Sequence, residues 1–106
     1  MIQEITDSNH EQILKDNKAV LITFKAPWCG VCHLLTPIIE ELSNEYGDKV
    51  FIGKVEVDEN SILTNKYGIR SIPATYFIKD GEIVDKHIGS MLKPQLKQKM
   101  DVIVGN

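Results

Sequence analysis

Val20-Leu21-Ile22-Thr23-Phe24-Lys25-Ala26-Pro27-Trp28-Cys29-Gly30-Val31-Cys32 is the stretch on which the fold turns. Its first six residues are rich in β-formers, apolar at nearly every position and too few for an independent helix. That pattern suits a strand buried on both faces of a sheet. Beyond Cys32, Leu34, Leu35, Ile38, Ile39, Leu42 and Tyr46 recur at spacings of three and four until Gly47. They mark a long helix and its stop, with Pro37 inside it expected to kink the helix about one turn past the cysteines. Two cysteines three residues apart therefore lie where a buried strand gives way to a helix.

That position makes the pair chemically unequal. Residues three apart at a helix start share a face, about 5 to 6 Å apart at Cβ, so modest torsional adjustment lets the sulfurs bond. Cys29 lies beside unsatisfied N–H groups and the positive helix end, whereas Cys32 is a turn inside. Cys29 is expected to be the more acidic thiol and the nucleophile, and Cys32 the resolving thiol. Gly30 leaves room for an incoming chain, and Trp28 supplies an apolar, aromatic shoulder. Zinc is the rival use of a Cys-x-x-Cys pair, but there is no second pair, and His10, His33 and His87 show no ligand spacing. A purely structural disulfide is the other rival, and a loop this short constrains the unfolded chain little.

Outward from this centre, Ile2 to Ile5 read as a short first strand, and Asp7 or Ser8 as the cap of a helix running to about Asp16. Val50 to Val57 alternate as a third strand that ends at Asp58-Glu59-Asn60. Ser61 to Tyr67 suit a short helix closed by Gly68. Thr75 to Ile78 and Glu82 to Ile88 flank an Asp-Gly pair, a hairpin signal, and Lys93-Pro94 opens a last helix with Leu96, Met100, Ile103 and Val104 on its apolar side. The order β-α-β-α-β-α-β-β-α implies an α/β fold, a mixed sheet with helices on both faces.

Composition sets the limits. With 106 residues, 42% hydrophobic and 25% charged, the sequence matches one ordinary soluble domain spanning 1–106. No repeat or linker divides it. A net charge of -3 without a basic block argues against nucleic-acid binding. The apolar run Ala19 to Ile22 is far below the about 20 residues that cross a bilayer. An acidic and polar start, Met1 to Gln12, lacks the features of a secretory signal, so the expected location is the cytoplasm.

The stretch from Val20 to Cys32 resembles the active-site strand and turn of the thioredoxin family, and the likeness covers essentially the whole chain. Further matches are Pro37, Lys54, Asp58, the run Lys66-Tyr67-Gly68-Ile69-Arg70-Ser71-Ile72-Pro73-Ala74, the Lys79-Asp80-Gly81-Glu82 turn and Gly89. The resemblance implies the thioredoxin fold: a mixed five-stranded sheet flanked by four helices, with Ile72-Pro73 in a cis peptide facing the cysteines. It also implies that the backbone before Pro73 pairs with an extended segment of the target. Trp28, Ile72, Pro73, Ala74 and Gly89 would form the contact surface, with Ser90 at its margin.

Three positions depart from the family pattern. Thr23 replaces a buried Asp that is thought to help the second cysteine lose its proton; a hydroxyl holds water or passes a proton but supplies no base at neutral pH. Lys54 loses its usual partner and is expected either to turn outward or to lower the pKa of nearby thiols. Val31 replaces a common Pro between the cysteines, which should change the potential in a direction the sequence does not set. Lys25 adds a positive charge where an aromatic is frequent. His33, Glu40 and Glu41 read as solvated residues of an exposed helix face.

These readings converge on a protein disulfide reductase that needs no organic cofactor or metal because its redox group is the Cys29–Cys32 pair. Its expected partners are disulfide-containing proteins as substrates and a thioredoxin reductase as electron donor, with the chain itself a monomer. The alternatives are a thiol oxidant or isomerase, if the changes at 23 and 31 raise the potential, and a binding or scaffold protein on the same fold.

Overall fold

The structure, a computed structural model, describes residues 2–105. Its elements follow in the expected order: β1 (Gln3–Glu4), α1 (His10–Asp16), β2 (Ala19–Lys25), α2 (Gly30–Tyr46), β3 (Phe51–Glu56), α3 (Ser61–Lys66), β4 (Ala74–Lys79), β5 (Glu82–Ile88) and α4 (Lys93–Val104). The five strands form one mixed sheet in the order β1-β3-β2-β4-β5. β3 runs parallel to both β1 and β2, while β4 is antiparallel to β2 and β5. β2 is therefore the central strand, which explains why its first six residues are buried without the polar alternation of a half-exposed strand.

Successive side chains of β2 point to opposite faces. Ala19 and Leu21 join a core cluster with Leu35, Ile39 and Leu42 of α2 and Leu96, Met100 and Ile103 of α4. Val20, Ile22 and Phe24 join the opposite cluster with Leu63, Tyr76 and Ile78, against which α1 and α3 residues pack. By the same alternation Thr23 and Lys25 face α2.

Several local expectations are refined. The residue before α1 is Asn9 rather than Asp7 or Ser8, and Asn9 makes no side-chain cap; its Oδ1 accepts from Thr6 N–H at 2.8 Å. Asp7 is used elsewhere, its carboxylate accepting from the backbone N–H groups of Leu63 at 2.9 Å and Ile62 at 3.3 Å. It thus satisfies two of the orphan donors of α3, 55 and 56 residues downstream. α2 continues through Pro37 to Gly47, whose φ of +56° ends it. Leu34 is exposed, so the apolar face of α2 is Leu35, Ile39, Leu42 and Tyr46. The β4–β5 turn has positive φ at both Asp80 and Gly81, the backbone that matches the twist of a two-residue hairpin.

Candidate active site

β2 ends at Lys25, and Ala26, Pro27 and Trp28 carry the chain to Cys29, the residue that caps α2. The N–H of Cys29 donates to Ala26 O at 3.1 Å, which tightens this turn. Cys29 and Cys32 form a disulfide with their Cα atoms 5.3 Å apart. The backbone N–H of Cys32 points at Cys29 Sγ from 3.2 Å, so the sulfur takes the place a Ser or Asp oxygen occupies at other helix starts. A thiolate formed there would meet an N–H donor and the positive end of a 17-residue helix.

The rest of the chain closes around the pair. Ala26 packs with both cysteines, and Val57 and Ile72 lie against them. The Ile72–Pro73 peptide is cis, and Ile72 O lies 4.0 Å from Cys29 Sγ across 43 residues of sequence. Gly89, at φ +96°, donates its N–H to Pro73 O at 2.8 Å and so ties the end of β5 to this loop. Ala74 is fully buried and pairs on one side with Phe24 and on the other with Ile88; its methyl lies in the core, away from the surface.

Cys29 is 7% exposed and Cys32 2%. Next to them in the chain, Trp28 and Val31 carry apolar side chains open to solvent. Trp28 is held by its indole N–H, which donates to Asp58 Oδ2 at 2.8 Å. A Cβ added at Gly30 would meet nothing within 4 Å. His33 sits with Nε2 2.9 Å from Pro27 O, a bond that requires the proton on Nε2.

Beneath the pair, on the α2 face, lies a polar layer. Thr23 is 5% exposed, pairs with Thr75 on β4 and Lys54 on β3, and none of the described residues hydrogen-bonds its hydroxyl. The same holds for Thr75 Oγ1 and for one carboxylate oxygen of Glu56, the register partner of Lys25. Lys54 Nζ stands 3.8 Å from Glu56 Oε2, so the lysine has a partner that the sequence reading overlooked. The spacing carried the signal, since residues 54 and 56 of one strand share a face. Lys25 Nζ reaches Thr36 Oγ1 at 3.4 Å, and that hydroxyl donates to Cys32 O at 3.0 Å. Thr23, Lys25, Thr36 and Lys54 line a cavity of about 90 Å³.

Among the described residues, no three His, Cys, Asp or Glu side chains gather as metal ligands, and no helix is long and apolar enough to cross a membrane. A cysteine pair that opens and closes at the mouth of the central strand, facing a cis-proline loop, defines a protein of dithiol–disulfide exchange. The family model Thioredoxin matches residues 1–102. The chain is 45% identical over 103 residues to the thioredoxin of Chlorobaculum thiosulfatiphilum, covering 96% of this chain and 95% of that protein. It is 44% identical to thioredoxin 2 of Chlorobaculum tepidum, covering 96% and 94%, and 41% identical to the chloroplastic M-type thioredoxin of Pisum sativum, covering 94% and 59%. The chain belongs to the thioredoxin family and is a protein-disulfide oxidoreductase.

Proposed function

We propose that the chain works as a single 106-residue reductase domain in which Cys29 is the nucleophile and Cys32 the resolving thiol. The observation that carries this reading is the helix-capping position of Cys29 Sγ, 3.2 Å from the N–H of Cys32. In the dithiol form, Cys29 thiolate attacks one sulfur of a target disulfide. A Cys29–target S–S bond forms, the target bond breaks, and the first target thiolate leaves. Cys32 then gives up its proton and attacks Cys29 Sγ, closing the intramolecular disulfide and releasing the second target thiolate. Two electrons pass to the target; a separate reductase, of the thioredoxin reductase kind, returns two electrons while protons restore both thiols.

The target segment lies extended along Ile72 and Pro73, with Trp28 and Gly89 at its flanks; Gly30 and Val31 leave the approach to Cys29 open. The Ile72 carbonyl faces the site and is a ready main-chain acceptor. Ala74 contributes through its backbone, since its side chain is in the core. Thr23, with a water in the cavity beside it, relays the Cys32 proton, and Lys54 sets the local field. No cofactor is required, because the two sulfurs themselves hold the electrons. A monomer in the reducing cytoplasm fits this chemistry.

Insulin reduction coupled to dithiothreitol tests the reading. The wild type should turn over, Cys29→Ser should abolish turnover, and Cys32→Ser should accumulate a covalent target adduct on Cys29. Turnover that survives in Cys29→Ser would overturn the assignment.

A further inference from the structure

On the face covered by α1 and α3, three cavities adjoin. One of about 200 Å³ opens at the loop leading into Ile72 and is walled by Arg70, Ser71, Tyr76 and Lys86. The next, about 480 Å³, shares Tyr76 and Lys86 and adds Lys66, Tyr67 and Ile83. The third, about 550 Å³, shares Lys66 with the second and ends at Lys15 and Lys18. Their common walls make one groove, which begins next to the cis-proline loop and runs away from the cysteines toward the β4–β5 turn.

The groove is basic in an acidic protein. Arg70, Lys86, Lys66, Lys15 and Lys18 line it against Glu11, Asp16 and Asp80, whereas the whole chain carries a net charge of -3. None of these five cations forms an ion pair among the described residues, although Lys54, Lys93, Lys97 and Lys99 all do. Asp16 is engaged by the Gln12 amide at 2.8 Å. The floor is apolar and aromatic, with Tyr67 and Tyr76 packed edge to face at 5.0 Å and Ile83 half exposed.

We propose that this groove receives an extended, acidic segment of the disulfide-bearing target, continuous with the segment that docks at Ile72. The inference rests on the reductase reading and adds a substrate class to it. An extended chain turns alternate side chains to one side. Carboxylates on one side of the segment then meet Arg70, Lys86 and Lys66 in succession, while its apolar stems lie on the tyrosines.

Two synthetic peptides with the same intramolecular cystine, one with a tail of six Glu and one with a tail of six Gln, supply the test. With each exposed ion pair worth about 1.5- to 5-fold, three pairs should lower KM for the Glu peptide at least about 3-fold at unchanged kcat. The preference should vanish near 1 M salt, where the Debye length is about 3 Å. Arg70→Gln/Lys66→Gln/Lys86→Gln should erase it and leave the Gln peptide unaffected. Equal KM values, or a preference that survives in the triple variant, overturn the groove and leave the reductase intact. A cysteine-free Glu hexapeptide titrated into Cys29→Ser is an independent arm, expected to shift the amide resonances of Lys66, Tyr67 and Lys86; shifts confined elsewhere overturn the proposal. Failure to reduce either peptide counts against the reductase reading, and the titration then decides the groove alone.

Discussion

Placing a carboxylate at position 23 should accelerate the second step of exchange. Thr23 faces α2 with a buried hydroxyl that no described residue hydrogen-bonds, beside a cavity of about 90 Å³, room for about three waters. A Thr hydroxyl passes a proton on through water but retains none at neutral pH, so release of target from Cys29 depends on the fraction of Cys32 that is ionised in the absence of a built-in base. An ordinary thiol, with a pKa of about 8.5, is only about 3% ionised at pH 7. If the thiolate fraction limits release, a built-in base can gain at most about 30-fold at pH 7 and about 2-fold at pH 8.5. Thr23→Asp is therefore expected to speed single-turnover release about 10- to 30-fold at pH 7, with the advantage fading as pH rises. Stopped-flow decay of a preformed Cys29 mixed disulfide, from pH 6 to 9, measures it. Stability should fall in the same variant, because the carboxylate enters a site 5% exposed whose register partner on β3, Lys54, already faces Glu56. Thr23→Val keeps the shape without the hydroxyl and should slow release, whereas Thr75→Val, at a fully buried hydroxyl with no partner, should only stabilise, by about 1 kcal/mol. Equal release rates for folded Thr23→Asp and wild type at every pH would refute the reasoning.

Three further outcomes concern stability. Asp7→Ala removes the carboxylate that accepts from Ile62 and Leu63 N–H, and should lower the unfolding free energy by about 1 kcal/mol in a urea titration, with Asp7→Asn intermediate. Gly53→Ala places a methyl against the buried Ile5 side chain and 3.1 Å from Gln3 O; a loss of about 1 to 3 kcal/mol is expected, and a Tm equal to wild type would show that β1 yields freely. His10 is buried, with Nε2 2.6 Å from Tyr67 Oη, and burial first, then the Lys66 charge, hold its pKa below the ordinary 6.5 while Glu11 opposes them. The unfolded chain then binds the proton more readily, so this contribution is complete above about pH 6.5 and declines as the pH falls toward the lowered folded value. Urea midpoints measured between pH 7 and 5 should drop less in His10→Gln than in wild type.

Elements whose signal is local were legible before any fold was known. The apolar run of β2, the three-and-four spacing of α2 and the Asp80–Gly81 turn each depend on residues within one short segment, and all three stand as expected. The same is true of the cysteine pair, because its position at a helix start follows from the elements on either side. Leu34 misled because its apolar side chain fits the helical period, yet it lies on the side of α2 that nothing covers. Asp7 misled in a different way. As a cap candidate it belongs next to α1, but the chain brings α3 within reach, and two N–H donors there outcompete a local role. Lys54 does lack the carboxylate usual at position 23, and the partner it has instead, Glu56, stands one strand period along on the same face.

The sequence by itself determined the elements, their order and the unequal placing of two thiols at a strand–helix junction, since those follow from periodicity, turn chemistry and the unsatisfied N–H groups of a helix start. Only the tertiary structure decided what surrounds the thiols. Sheet order β1-β3-β2-β4-β5 makes β2 central, carries Ile72 to within 4.0 Å of Cys29 and turns Ala74 into the core. It also stacks Thr23, Thr75, Lys54 and Glu56 beneath the site and joins Arg70 to Lys66 along one groove. Contacts between segments tens of residues apart are set by how the faces pack, and no local pattern encodes them.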